Sequence, residues 1–217
     1  ETGAIKHIAN YLIPGETNYI QVNNAELTDI HNNKDSPADY HVVMDFKTNV
    51  HISGRQGYQG IINILDKLSP EARNTIAIEN DEMCWGLDES LQLEKHVALV
   101  LDIHHHWIRD EEYIQANDDR VKRVIDSWRG VRPTLHYSLS REDVVVGHAT
   151  DTFPALDALI AQGYKKQKLR AHSDYYPNEK ANDWALTFWQ DFDIQCEAKA
   201  KNLASEQLYN RGIELYG

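Results

Sequence analysis

The chain has 217 residues, 41% of them hydrophobic and 26% charged, which suits one sizeable core and a single domain over residues 1–217. That composition excludes general disorder, and no apolar run approaches the ~20 residues of a membrane span, so no membrane partner is expected. The formal net charge of −12 argues against a generic phosphate-binding surface, so any nucleic-acid face must be local. No secretory leader is visible, which makes the cytoplasm the expected compartment, and the unpatterned Cys84 and Cys196 suit reducing conditions.

In chain order, the first readable element is a strand within Ile8–Ile13, closed by Pro14-Gly15. From there to Asp39 the sequence is polar and irregular and offers no element. His41 to Phe46 reads as a helix end or a short strand, and TNVHISG as a strand ending in His51 and Gly54. A helix is expected over about Tyr58–Leu68, with Ile61, Ile62, Leu65 and Leu68 at helical spacing. Ser69-Pro70-Glu71 then predicts a second helical turn, with Ser as cap and Pro in the first helical position.

The stretch Thr75–Trp107 reads as two buried strands joined by a helix. Its first apolar run, Ile76–Ile78, ends at Glu79, Asn80, Asp81 and Glu82. The second, Val97–Leu101, ends at Asp102, His104, His105 and His106. A helix capped by Asn117 follows, with Val121, Val124, Ile125 and Trp128 on one face and Gly130 after it. The strand PTLHYSLS carries His136, and a helix is expected over Thr152–Gln162. The basic run YKKQKLR leads into AHSDYY with His172. A helix over Asn178–Trp189, the strand DIQCEAK with Glu197, and a last helix over Ala200–Arg211 complete the chain. Five strand-then-helix units from His51 onward predict a parallel α/β fold.

His51, Glu79, Asp102, His105, His136, His172 and Glu197 all fall at or just beyond the ends of predicted strands. A lone His or Glu is usually a surface residue or a satisfied core group. Seven at corresponding positions of successive units predict a shared site for divalent cations, because in a β/α barrel those ends converge on one mouth. Three adjacent histidines cannot all face one site, so at least one of His104 and His106 is expected to bond elsewhere. His96 and His148 read as structural or solvent residues, and Trp128, Trp184, Phe188 and Trp189 as core. Lys165, Lys166, Lys168 and Arg170 would ordinarily be a solvated face, but their place just before His172 makes them the best candidates for phosphate contacts.

At these residues the sequence resembles the UV-damage endonuclease family, metal-dependent β/α barrels related in fold to endonuclease IV. The matching stretches are IANYLIP, VHISG, IAIENDE, LVLDIHHHW, LHYS, RAHSDYY and IQCEAKAKNLA. The resemblance implies an α/β fold of the TIM-type β/α barrel, incomplete on its N-terminal side. It implies that the seven residues above ligate up to three divalent ions, most commonly manganese. It also implies that the activity is nicking of damaged double-stranded DNA on the 5′ side of a lesion, through metal-activated water, with no obligate protein partner. Glu79, Asp102, His136 and Glu197 would then be catalytic.

Three departures from the family pattern stand out, one of them a segment between His136 and His172 much longer than the family leads one to expect. Between Gly15 and Lys47 there is no His-Pro-Gly-Gln-Tyr segment, the family's source of one metal ligand and two lesion-probing residues; Gln21, Asn23 and Asn24 are poor substitutes. Thr134 stands where the family has a Lys that can bridge metals. Two other readings fit the same residues: a sugar isomerase or epimerase using Mn or Mg in a similar barrel, and a non-catalytic metal-binding relative.

Overall fold

Short apolar runs ending in ionisable residues become the strands of a parallel sheet. The computed structural model describes residues 47–141 and 150–217, together with the backbone of 9–12, 19–22 and 41–44. Three short strands, β1 (Ala9–Leu12), β2 (Tyr19–Val22) and β3 (His41–Met44), form an antiparallel sheet in the order β2-β1-β3. The strand expected within Ile8–Ile13 is therefore present, and the ambiguous segment after Tyr40 is a strand. β2 lies in the stretch that offered no readable element; four residues, YIQV, are too few to display an alternation.

The second sheet contains β4 (Thr48–His51), β5 (Ile76–Glu79), β6 (Ala98–Asp102), β7 (Thr134–Tyr137) and β8 (Asp193–Cys196). All neighbouring pairs are parallel, and the spatial order follows the sequence, β4-β5-β6-β7-β8. A sequential parallel order is one arc of a TIM-type β/α barrel, whereas a doubly wound sheet would reverse direction midway. Among the described residues the arc does not close into a ring. β6, the middle strand, is buried throughout, while β4 at one edge is exposed along its length.

Side-chain alternation divides this sheet into two faces. Leu99, Leu101, Ile103, Leu135 and Tyr137 join the large helix-covered core with Val121, Val124, Trp184 and Phe188. Ala77, Ala98 and Val100 pack with Trp128 on the other side. Glu79 shares its parity with Ala77, and Asp102 shares its parity with Ala98 and Val100. The register sets His51 opposite Glu79 and Asp102 opposite His136, so ionisable side chains top the face whose lower part is small and apolar.

The connections refine the expected helices. The first runs over Gly57–Leu65, and the Ser69 hydroxyl accepts from the Ala72 amide at 3.3 Å to cap Pro70–Asn74, as its sequence predicts. Between β5 and β6 the expected helix is only Leu87–Ser90, continued by a 3₁₀ turn over Leu91–Leu93. A helix unmarked by apolar periodicity, Ile103–Asp110, starts directly from β6 and contains all three adjacent histidines. The following helix, Asp119–Ser127, is capped by Asp118 and not Asn117: the Asp118 carboxylate accepts from the Arg120 amide at 2.8 Å and also binds the Arg120 guanidinium.

Helices Leu156–Ala161 and Glu179–Leu186 fall within their predicted ranges, the second capped by Asn178, and the last helix extends over Asn202–Tyr216. The basic run itself forms the short helix Lys166–Leu169. Trp128, Trp184 and Phe188 are buried, as expected, while Trp189 is half-buried. No described helix is long and apolar enough to cross a membrane.

Trp184 packs edge-on against Tyr113 and Phe188, and its indole N–H donates to the Ile114 carbonyl at 2.8 Å. Trp184→Ala should therefore lower unfolding free energy by roughly 3–5 kcal/mol, read by urea denaturation. A loss below 1 kcal/mol would contradict this packing.

Candidate metal centre

Glu79 ends β5 with its side chain 1% exposed, a costly position for a carboxylate unless charge and donors surround it. The Asn49 amide donates to Oε2. Oε1 faces two imidazoles, His105 Nδ1 at 3.3 Å and His136 Nδ1 at 3.2 Å. His51 Nε2 stands 3.5 Å from Oε2. Each imidazole comes from a strand end or from the first turn after one, so the sheet register assembles the cluster.

Asp102 is held from both sides. The Asn80 side chain accepts from the Asp102 amide at 2.8 Å and donates to its carbonyl at 2.9 Å, locking the end of β6 to that of β5. Asp102 Oδ1 caps the helix Ile103–Asp110 by accepting from the amides of His104 and His105, each at 2.8 Å. Oδ2 is left facing His105 Nδ1 at 3.4 Å.

Because the histidines occupy consecutive helical positions, they point in three directions. His105 enters the cluster. Its Nδ1 donates to the Asn80 carbonyl at 3.0 Å, so in the neutral ring Nε2, 3.5 Å from Glu82 Oε2, is the lone-pair nitrogen. His104 turns to the segment just after β7, where Ser138 lies 2.7 Å from Nδ1 and Ser140 3.3 Å from Nε2. The Ser140 hydroxyl donates to the Leu169 carbonyl, so both His104 nitrogens are engaged away from the cluster. His106 lies between Asp110 and Glu112, each at 3.0 Å, and Glu112 is bound in turn by Arg120.

His136 completes the cluster, with Nδ1 3.3 Å from Glu197 Oε1 just beyond β8. Of the seven expected ligands, His51, Glu79, Asp102, His105, His136 and Glu197 are thus brought together. His172 is not joined to them by an ion-pair contact: it pairs in an isolated bridge with Ser140 and meets the His104 ring edge-on, with centroids 6.1 Å apart. Sequence reasoning passed over Asn49 and Asn80 as positioning groups and over Asp81 and Glu82 as donors. The IENDE run was the available signal, but adjacent acidic residues alone do not reveal which are buried.

The electrostatics are those of a carboxylate–imidazole nest. Burial opposes ionisation of Glu79, but the facing imidazoles of His105, His136 and His51 hold its carboxyl well below the usual range. Burial, reinforced by Glu79 and Glu197, pushes Asp102 up to about 7. Burial disfavours the His105 imidazolium, yet Asp102, Glu79 and Glu82 raise it to about 10; His136 is also raised, against burial, by Glu79, Glu197 and Asp102. Burial drives His104 well below its ordinary value.

Glu79 Oε1, Asp102 Oδ2 and His136 Nδ1 are buried without a directed hydrogen bond. Ligand atoms of Glu79, Asp102 and His136 lie within 4.8 Å of one another, as do those of His51, Glu79 and His105. Mixed oxygen and imidazole donors with unmet bonding capacity fit a divalent first-row cation.

The basic segment lies near this mouth. The Arg170 Nε is 2.5 Å from buried Glu82 Oε1, whereas Lys166 is tied to the Arg109 carbonyl at 3.1 Å and to Glu111. Lys165 and Lys168 are exposed. The segment between Gly15 and Lys47 where the probe motif was sought lies outside the described residues, apart from the backbone of 19–22 and 41–44, and so does His148. Thr134 opens β7 opposite Asp193.

The family model described as UV-endonuclease UvdE matches residues 40–216. The UV-damage endonuclease of Schizosaccharomyces pombe is 26% identical over 176 residues, which is 75% of this chain and 25% of that protein. The UV-damage endonuclease of Neurospora crassa is 29% identical over 83 residues, 33% of this chain and 13% of that one. The chain therefore spans a quarter or less of the length of these curated relatives. Among solved structures, the crystal structure of SacUVDE matches with a TM-score of 0.54 at 22% identity, covering 78% of this chain and 52% of the other. That likeness speaks for the barrel-type fold.

Asn80→Ala would remove both side-chain bonds that hold the buried Asp102 backbone. It should destabilise the metal-free protein by about 2–4 kcal/mol and weaken divalent-cation affinity roughly 10–100-fold. Chemical denaturation and calorimetric Mn²⁺ titration test both; unchanged metal affinity would show that Asn80 does not position Asp102.

Proposed function

The chain belongs to the UV-endonuclease UvdE family, and on that premise we propose that it nicks damaged double-stranded DNA on the 5′ side of a lesion, using two or three divalent ions, with Mn²⁺ preferred. The observation that carries this reading is the convergence of Glu79, Asp102, His105, His136 and His51 at one end of the parallel sheet, with buried oxygens that accept no directed hydrogen bond.

Glu79, Asp102, His136 and Glu197 would hold the central cation, with His51 and His105 serving further ones. Bound there, divalent cations would supply an activated water for in-line attack on phosphorus and neutralise charge on the leaving oxygen. The chain's own residues do the positioning. Glu79 presents Oε1 to the interior while Asn49 fixes Oε2. Asn80 and the first turn after β6 fix Asp102. His105 is oriented by the Asn80 carbonyl, so its Nε2 is available as a donor to a cation. Glu197, with its side chain 23% exposed, places one carboxylate at the rim where substrate would arrive. His172, assigned as a ligand by resemblance, stands beside His104 in this structure.

Substrate binding by an acidic protein needs a local cationic strip, and we assign that role to Lys165, Lys166, Lys168 and Arg170, the last of which lies against Glu82. The proximity of this strip to the donor cluster favours a polyanionic substrate over a neutral polyol.

Supercoiled plasmid, irradiated and unirradiated, with Mn²⁺ or with chelator, tests the reading. Lesion-dependent nicking that chelator abolishes is expected, and Glu79→Gln should lower it at least about 100-fold with loss of bound metal. Full nicking by Glu79→Gln with full metal content would refute the assignment. A Lys165→Ala/Lys168→Ala chain should bind DNA more weakly and reduce the slope of log K against log salt by about 1–2. An unchanged slope would remove these lysines from the DNA face.

A further inference from the structure

We propose that His51, Asp81 and Glu82 form a second cation site, separate from the central cluster around Glu79, Asp102 and His136. Ligand atoms of the three residues lie within 4.8 Å of one another. That spacing suits donors sharing one ion at about 2.0–2.3 Å. Neither carboxylate belongs to the ligand set read from the strand ends.

The three groups differ in how they are held. Asp81 uses Oδ1 for the chain turn, accepting from the Met83 amide at 2.7 Å and the Cys84 amide at 2.6 Å. Its Oδ2 is left over, 3.5 Å from His51 Nδ1. Glu82 is 2% exposed and neither of its oxygens takes part in a directed hydrogen bond. Its Oε1 is approached by Arg170 Nε at 2.5 Å, and its Oε2 lies 3.5 Å from His105 Nε2. A buried carboxylate with unmet bonding capacity is the second sign of a ligand, beyond the gathering of acidic residues.

His51 links the two sites. A neutral imidazole has one lone pair and one N–H. With Nδ1 facing Asp81, its Nε2–H points toward Glu79 Oε2 at 3.5 Å, so a cation bound by Nδ1 would be tied to the central carboxylate through the ring. His51 has its side chain 45% exposed, which leaves the site reachable from solvent. Arg170 occupies Glu82 as a competing positive charge.

The test uses the full metal-stripped chain and Mn²⁺ alone, with calorimetric titration and counting of bound ions. Asp81→Asn keeps the oxygen that caps the turn, and Glu82→Gln keeps the shape of the buried side chain. The double variant should lose one bound ion, or at least tenfold in affinity at one site, while the event lost in Glu79→Gln persists. Arg170→Gln probes the same site without removing a ligand: freeing Glu82 should tighten Mn²⁺ severalfold. That arm decides the matter if the double variant does not fold.

Unchanged stoichiometry and affinities in the double variant, or unchanged affinity in Arg170→Gln, would overturn the proposal. DNA nicking does not enter the readout. A chain that binds the second ion but leaves damaged plasmid intact would refute the functional reading alone.

Discussion

Burial of the Glu79 carboxylate is the constraint around which the rest of the site is arranged. A charged group that is 1% exposed is tolerated only where donors and opposite charge replace water. Here Asn49 binds one oxygen, and imidazoles from the β6 and β7 ends face the other. The same packing leaves Glu79, Asp102 and His136 with buried atoms that lack directed hydrogen bonds. Such a nest is electrostatically coherent with protons on its histidines, and its donor types also suit divalent cations.

The scaffold achieves this with the alternation of a β-strand and the first turn of a helix. Small residues, Ala77, Ala98 and Val100, fill the lower part of the face that Glu79 and Asp102 share. At the end of β6, Asp102 both caps a helix and belongs to the cluster, and that helix distributes three neighbouring histidines among three environments. His104 pins the helix to Ser138 and Ser140, and His106 ties it to Glu112 beyond its end. Only His105 is delivered to the carboxylates. Two of the three therefore fix the orientation of the third.

Charge is partitioned with similar economy. The chain as a whole is strongly acidic, yet the segment around the helix Lys166–Leu169 is cationic and reaches the donor cluster through the contact of Arg170 with Glu82. Among the described residues this strip sets positive charge beside the mouth of the arc, through Arg170.

Much of this was legible in the residues. Apolar runs broken by Glu79 and by Asp102 identified β5 and β6, because strands covered on both faces carry no polar alternation until they end. The strand-end positions of His51, His136 and Glu197 followed from the same pattern, and the resemblance supplied the barrel and the chemistry proposed for it. Local sequence also determined the Ser69 and Asn178 caps, whose bonds span only three residues. Other features depended on contacts between segments distant in sequence. Asn80 clamps a backbone 22 residues away, Ser140 receives His104 across 36 residues, and Arg170 meets Glu82 across the mouth. His172 looked equivalent to the other ligands in sequence but packs against His104. Sequence determined which groups stand at strand ends; register, helix phase and burial, which arise only when those ends are brought together, decided which of them face one another.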